Sequence, residues 1–228
     1  MPTYAVSPAP IVTLPIDGTD AVFPVRRVYC IGRNYAAHAI EMGHDPDRDP
    51  PFFFQKNPNN LTVGDTFPYP PQTKDVHHEI EMIVALKSGG KNISLDKALD
   101  HVFGYGVGLD MTRRDLQGVA KDMGRPWEIG KAFEESAPVT PLRPVSAVGH
   151  PSSGLVQLKV NGKPKQTGDL NQMIWKVPEM ISYLSDFFEL AAGDVIMTGT
   201  PSGVGAIVAG DVMECHIEGV DDLTVTVI

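Results

Sequence analysis

Three acidic residues in this chain are spaced for holding a divalent cation. Glu79 and Glu81 stand two apart in His77-His-Glu-Ile-Glu81, flanked by Val76, Ile80, Met82, Ile83 and Val84. Such a run reads as a β-strand, in which residues two apart point to the same face. Carboxylates held side by side repel each other and raise one pKa unless a cation lies between them. A third acid, Asp110, closes the glycine-rich run Gly104-Tyr-Gly-Val-Gly-Leu-Asp110. Carboxylate oxygens suit Mg²⁺, Mn²⁺ or Ca²⁺ rather than a thiolate-seeking metal. A Glu-x-Glu is ordinarily a solvated strand face. The apolar flanks and the third acid set this one apart, and Glu79, Glu81 and Asp110 are read as a divalent-metal site.

Other residues have types suited to work beside such an ion. His38 and Glu41 stand at i and i+3 of a short predicted helix, Asn34 to Gly43, and can meet on one face. A carboxylate beside an imidazole orients it and favours its charged form, which readies a base to activate water. On an ordinary surface helix the same pair is weak and without function. Gly32-Arg33-Asn34-Tyr35 gathers polar groups in one tight loop and makes Arg33 and Tyr35 candidates for a site edge. Lys131, among apolar neighbours in Glu128-Ile-Gly-Lys-Ala-Phe133, has the chemistry to bind a carboxylate or steady an oxyanion, although most lysines only reach solvent. Arg113, Arg114 and Gln117 fall on the first turns of the helix after Asp110, some aimed at the acids and others outward. Thr198-Gly-Thr-Pro-Ser-Gly-Val-Gly205 lacks the Lys-Ser/Thr of a phosphate loop and offers hydroxyls and amides to a carboxylate instead. Leu109 stands where Gly104-x-Gly106-x-Gly108 would need a glycine to bind a dinucleotide.

The elements that must carry these groups alternate short strands with short helices. Strands are predicted at Arg27 to Ile31, Pro51 to Lys56, Val76 to Leu86 and Phe103 to Met111. Helices are predicted at Ser94 to His101, from Thr112 (with a capping box to Asp115) to Gly124, and from Pro178 with Met180, Ile181, Leu184, Phe187 and Phe188 on one face. Leu155 to Val160, Asn161-Gly162 and Lys163 onward form the clearest hairpin. Gly-Asp-Val at 193 and at 210, and Gly64-Asp-Thr, launch strands. The sum is an α+β domain around a rolled, mostly antiparallel sheet. We divide the chain into an extended, proline-bearing segment, 1–25, and a single domain, 26–228. With 228 residues, a net charge of −9 and a pI near 5.2, no nucleic acid or anionic membrane surface is expected as partner. No apolar stretch is long enough to cross a membrane. Two cysteines make no disulfide framework, and a cytoplasmic location is expected.

Taken in order, Gly32-Arg-Asn-Tyr-x-x-His38-x-x-Glu41, His77-His-Glu-x-Glu81, Leu109-Asp-Met-Thr-x-Arg-Asp-x-Gln117, Lys131-x-Phe and Thr198-Gly-Thr-Pro-x-Gly-Val-Gly205 resemble the fumarylacetoacetate hydrolase family from about Arg26 onward. The likeness is to its small, single-domain acylpyruvate hydrolases. It implies a mixed β-roll with short peripheral helices, working as a homodimer with Mg²⁺ or Mn²⁺, with Ca²⁺ a substitute in vitro. It also implies Glu79, Glu81 and Asp110 as metal ligands and His38 with Glu41 as the water-activating dyad. Lys131 and Gln117 would then lie near the reacting carbonyl, Thr200 on the substrate carboxylate, and Arg33, Tyr35 and Arg114 around the substrate. The implied reaction is hydrolysis of the carbon–carbon bond of an anionic 1,3-diketo acid, with fumarylpyruvate giving fumarate and pyruvate in aromatic catabolism. Oxaloacetate decarboxylation at the same metal, or keto-acid binding without catalysis, are the alternatives. Lys56, in Phe54-Gln-Lys-Asn-Pro58, departs from the family's Lys-Pro and is assigned no role.

Overall fold

Two sheets face each other across the main core and position everything near the three acids. The computed structural model describes residues 3–36 and 50–228. The six-stranded sheet runs Arg143–Pro144, Val102–Leu109, Ile80–Leu86, Asp194–Met197, Arg27–Gly32, Phe52–Lys56. Its strands pair antiparallel except Asp194–Met197 with Arg27–Gly32, which are parallel. The five-stranded sheet runs Lys163–Asp169, Leu155–Val160, Val212–Ile217, Asp221–Val227, Thr66–Phe67, and only its last pair is parallel. A small sheet of Thr112–Arg113, Val76–His78 and Gly205–Ile207 joins the region of the acids to the C-terminal third. Helices are few and short, and the fold is α+β with mixed sheets.

The sequence of the central strand follows from burial on both faces. Ile80, Met82, Val84 and Leu86 enter the core between the sheets, while Ile83 and Ala85 enter a second core on the other side. A strand buried twice has no polar-out positions to fill, hence the unbroken apolar run 82–86 that follows Glu81. The second core also takes Leu14, Phe23 and Val25, because Thr13–Pro15 and Val22–Pro24 pair as a hairpin within the N-terminal segment. In Leu155–Val160, by contrast, one face is buried and the other half-buried, and its alternation is correspondingly plain.

The glycines of the neighbouring strand have a packing role. Tyr105, Val107 and Leu109 fill the main core, so Gly104, Gly106 and Gly108 line the opposite face. There the chain from Val139 to Pro144 lies directly upon them: a Cβ on Gly104 would sit 2.4 Å from the Arg143 carbonyl oxygen, and one on Gly108 3.1 Å from Val139 Cγ1, besides meeting Ile83 of the neighbouring strand at 2.6 Å. The two-residue glycine period makes a flat surface for a crossing segment.

Several elements differ from the sequence expectations. The strand expected over Val76 to Leu86 breaks at Glu79 into Val76–His78 and Ile80–Leu86. The helix expected over Ser94 to His101 is a single tight turn, Ala98–His101. Helix Arg114–Asp122 has no capping box: Asp115 binds the Thr73 hydroxyl (2.6 Å) and the Lys74 amide (3.1 Å), and Thr112 belongs to a strand. Gly124 ends the helix with a left-handed φ of 62°. Helix Val177–Phe187 buries Met180, Ile181 and Leu184 as expected, but Phe187 is exposed and Phe188 lies past its end. The Asn161-Gly162 hairpin forms, with φ of 51° and 75°.

Two glycine substitutions should move stability in opposite directions. Gly104→Ala, against backbone, should cost about 1–3 kcal/mol. Gly118→Ala, inside helix Arg114–Asp122 with nothing within 4 Å, should gain about 0.5–1 kcal/mol. Urea unfolding of both variants reads the difference, and equal effects would contradict the packing described.

Candidate metal and keto-acid site

Strand register brings the three acids together. Ile80 pairs with Leu109 and Glu81 with Gly108, so Glu79 lies across from Asp110, whose amide donates to the Glu79 carbonyl at 2.8 Å. Glu79, Glu81 and Asp110 are all buried, and each offers a carboxylate oxygen within 4.8 Å of the others. Burial, and then the charges of Asp110 and Glu79, push the Glu81 carboxyl well above the usual range. The Gly199 amide, donating to Glu81 Oε2 at 2.8 Å, acts the other way.

Three cations answer the three acids. Lys131 Nζ lies between two of them, donating to Glu79 Oε2 at 2.9 Å, Asp110 Oδ2 at 2.7 Å and the Thr112 hydroxyl at 2.6 Å. Burial alone would lower the Lys131 pKa, but Asp110 and Glu79 outweigh it and hold it above the usual value. Lys56 Nζ faces Asp110 Oδ1 at 2.9 Å and donates to the Ser136 hydroxyl at 3.0 Å and to the Lys131 carbonyl. Arg114 binds Glu79 Oε1 through Nη2 and Gln117 Oε1 through Nη1 at 2.6 Å. Burial and the Arg114 charge lower the His77 pKa and favour a neutral ring beside it.

One helix face explains which of the paired arginines turns inward. Arg114, Gln117 and Lys121, at i, i+3 and i+7 of helix Arg114–Asp122, line one pocket with the acids. Arg113 instead lies over the Phe133 ring at 4.4 Å and reaches the Ile129 carbonyl. Arg33, Lys131 and Thr200 line the same pocket, with Phe54 and Trp127 as an aromatic wall. Tyr35 is buried in the main core and does not line it. His38 and Glu41 lie outside the described residues.

Sequence reasoning missed some participants. Lys56 ends the aromatic strand Phe52–Lys56 on the same side as Phe54, and a lone lysine after three phenylalanines was the available signal. Asn34, fully buried, donates to the Thr198 and Trp175 carbonyls at 2.8 and 2.9 Å and so fixes the Thr-Gly-Thr-Pro loop. No feature of the sequence singled it out from its polar neighbours.

The donor set fits a divalent cation. Hard ions take carboxylate oxygens at about 2.1 Å, which places neighbouring ligand oxygens roughly 3 Å apart. The three carboxylates are buried and bring their ligand oxygens within 4.8 Å of one another, close enough for a small rearrangement to seat one ion. Lys56, Lys131 and Arg114 pair with the acids, and Arg33 and Lys121 also line the pocket, so a divalent ion would leave it positive and suited to an anion.

Comparison with known proteins places this geometry. The family described as "Fumarylacetoacetate (FAA) hydrolase C-terminal" matches residues 27–228. A fumarylpyruvate hydrolase from Ralstonia sp. is 43% identical over 189 residues, covering 82% of this chain and 98% of that protein. A mitochondrial oxaloacetate decarboxylase from Dictyostelium discoideum is 39% identical over 198 residues, 86% of this chain and 90% of its own. The crystal structure of fumarylpyruvate hydrolase from Pseudomonas aeruginosa, in complex with Mn²⁺ and pyruvate, superposes with a TM-score of 0.97 at 52% identity, covering 99% of each chain. The chain therefore belongs to the fumarylacetoacetate hydrolase family.

Proposed function

We propose that this chain is a divalent-metal-dependent hydrolase that cleaves fumarylpyruvate to fumarate and pyruvate. The observation that carries this reading is the buried triad of Glu79, Glu81 and Asp110 ringed by Lys56, Lys131 and Arg114. Fumarylpyruvate hydrolases at 43% and 52% identity, one of them holding Mn²⁺ and pyruvate, support the substrate. Glu79, Glu81 and Asp110 hold Mg²⁺ or Mn²⁺. When bound, the ion supplies Lewis-acid polarisation of the keto acid and stabilises the enolate that leaves as the carbon–carbon bond breaks.

The protein's own groups do the rest. Thr200 takes the substrate carboxylate, and Arg33 and Arg114 serve substrate binding; Tyr35, buried in the core, is not among them. His38, oriented by Glu41, removes a proton from water, which adds to the carbonyl of the fumaryl group. Lys131 and Gln117 steady the oxyanion so formed, a contribution of roughly 3–4 kcal/mol for one well-placed donor. Collapse expels the pyruvate carbon as an enolate that takes up a proton, leaving fumarate. The enzyme acts as a cytoplasmic homodimer in this reading. Exposed Val119, Met123 and Ile129 on and beside helix Arg114–Asp122 give a partner copy apolar surface to cover, and both cysteines are free and buried.

Paired turnover of the Mg²⁺-loaded protein on fumarylpyruvate and on oxaloacetate, with a chelated control, tests the assignment. Fast, metal-dependent fumarylpyruvate cleavage is expected, and faster decarboxylation of oxaloacetate would overturn it in favour of the activity named for the Dictyostelium relative. His38→Ala should lower hydrolysis by about 10²–10⁴-fold with Mn²⁺ affinity nearly unchanged; a fully active variant removes the dyad from the mechanism.

Acid–base linkage gives a further expectation. With its pKa raised on folding, Glu81 contributes to metal-free stability at low pH, and that contribution is lost as pH rises from the ordinary carboxylate range through the folded value. Metal binding must expel that proton, so the rise in Tm on adding Mn²⁺ should grow from pH 5 to pH 8. Glu81→Gln should leave the metal-free protein at least as stable at neutral pH and weaken Mn²⁺ by more than about tenfold, or 1.4 kcal/mol. A Tm increment independent of pH would count against a protonated Glu81.

A further inference from the structure

The wholly buried Gln166, on strand Lys163–Asp169, is bonded at both ends of its amide. Its Oε1 accepts from the Ile80 amide at 3.2 Å and lies 2.9 Å from His78 Nδ1. Its Nε2 donates to the Thr200 hydroxyl oxygen and to the Pro201 carbonyl, each at 2.8 Å. The amide cannot be turned over: a backbone N–H only donates and a carbonyl only accepts, so Ile80 and Pro201 fix which end is which. The Thr200 oxygen is thereby an acceptor toward Gln166, and its one proton is left to be given elsewhere. Among the described residues Thr200 donates no hydrogen bond, and it lines the pocket that holds the three acids.

We propose that Gln166 is a positioning residue that sets the Thr200 hydroxyl as a donor to the carboxylate of the bound keto acid. This rests on the reading of the site as a metal-dependent acylpyruvate site. Gln166 also ties together the two backbones that carry the site. Ile80 stands between Glu79 and Glu81, and Thr200 and Pro201 belong to the loop across the pocket. Gly203 lets that loop lie on the Gln166 strand, since a Cβ there would fall 2.1 Å from the Lys165 carbonyl oxygen. Without the amide, Thr200 could turn its proton to the Pro201 or neighbouring carbonyls and meet the ligand with a lone pair, which repels a carboxylate.

The test is pyruvate binding to the Mn²⁺-loaded protein by calorimetry, with Thr200→Val, Gln166→Met and the double variant. Thr200→Val and Gln166→Met should each weaken pyruvate by about ten- to a hundredfold, the range for hydrogen bonds to charged groups. The double variant should be no weaker than the worse single one, because both remove one interaction. Mn²⁺ affinity, measured without pyruvate, should stay within about threefold of wild type. Gln166→Glu, which keeps length and acceptor oxygens but loses the donor, should behave as Gln166→Met and covers the case in which the latter does not fold. Pyruvate affinity unchanged in the Gln166 variants, effects that multiply in the double variant, or an equal loss of Mn²⁺ affinity would each overturn the proposal. So would failure of both Gln166 variants to fold, which marks a purely structural amide. Wild-type protein that binds Mn²⁺ but no pyruvate would instead overturn the reading of the site on which this inference stands.

Discussion

Mutual neutralisation between two buried carboxylates, Glu79 and Asp110, and three buried or half-buried cations is the constraint on which the site depends. An isolated buried charge is costly in a medium of low polarity, and removing one partner of a buried pair typically costs about 3–5 kcal/mol. Here the cost is shared: Lys131 spans Glu79 and Asp110, Lys56 takes the other oxygen of Asp110, and Arg114 takes Glu79. Among the described residues Glu81 makes no ion pair, and it accepts from the Gly199 amide. Burial, with the charges of Asp110 and Glu79 beside it, pushes its carboxyl well above the usual range and favours the protonated form.

Rigid elements hold this arrangement in place. Glu81 sits in a strand sandwiched between two cores, Glu79 at its entry and Asp110 one residue past the neighbouring strand. The flat glycine face lets the segment from Val139 to Pro144 press against that neighbour. By contrast, the Thr-Gly-Thr-Pro loop has no regular structure of its own and is fixed by side-chain amides: Asn34 at Thr198, Gln166 at Thr200 and Pro201. A backbone bond from the Thr198 amide to the Met82 carbonyl, at 3.1 Å, and these side chains set its distance from the acids.

What the sequence made legible were the features with a local period. The two-residue spacing of Glu79 and Glu81, the apolar run after them and the Asn-Gly hairpin all have near-neighbour causes, and the structure has them. Arg114, Gln117, Lys131 and Thr200 come to one pocket with the acids. What was not legible was decided by contacts distant in sequence. Asp115 fits a capping box by spacing, yet it serves the chain at Thr73 and Lys74. Thr112, the expected cap, gives its hydroxyl to the bonds around Lys131 and Asp110 instead. Lys56 and Gln166 look like ordinary polar residues on short strands. Their importance lies in burial against Asp110 and Thr200, and no local pattern encodes that. Tyr35 belongs to a motif of polar neighbours but turns into the core two residues after the left-handed backbone at Arg33.

The ammonium group between Glu79 and Asp110 also bears on how such a protein is assembled. Small metal-binding domains often have no stable form until the ion arrives, because their ligands repel one another when bare. Here the chain itself supplies a positive charge among its acids, with Lys131 2.9 Å from Glu79 and 2.7 Å from Asp110. Lys131 is thus a counter-charge the fold carries with it, as much a part of the acidic cluster as the strands that bring the acids together.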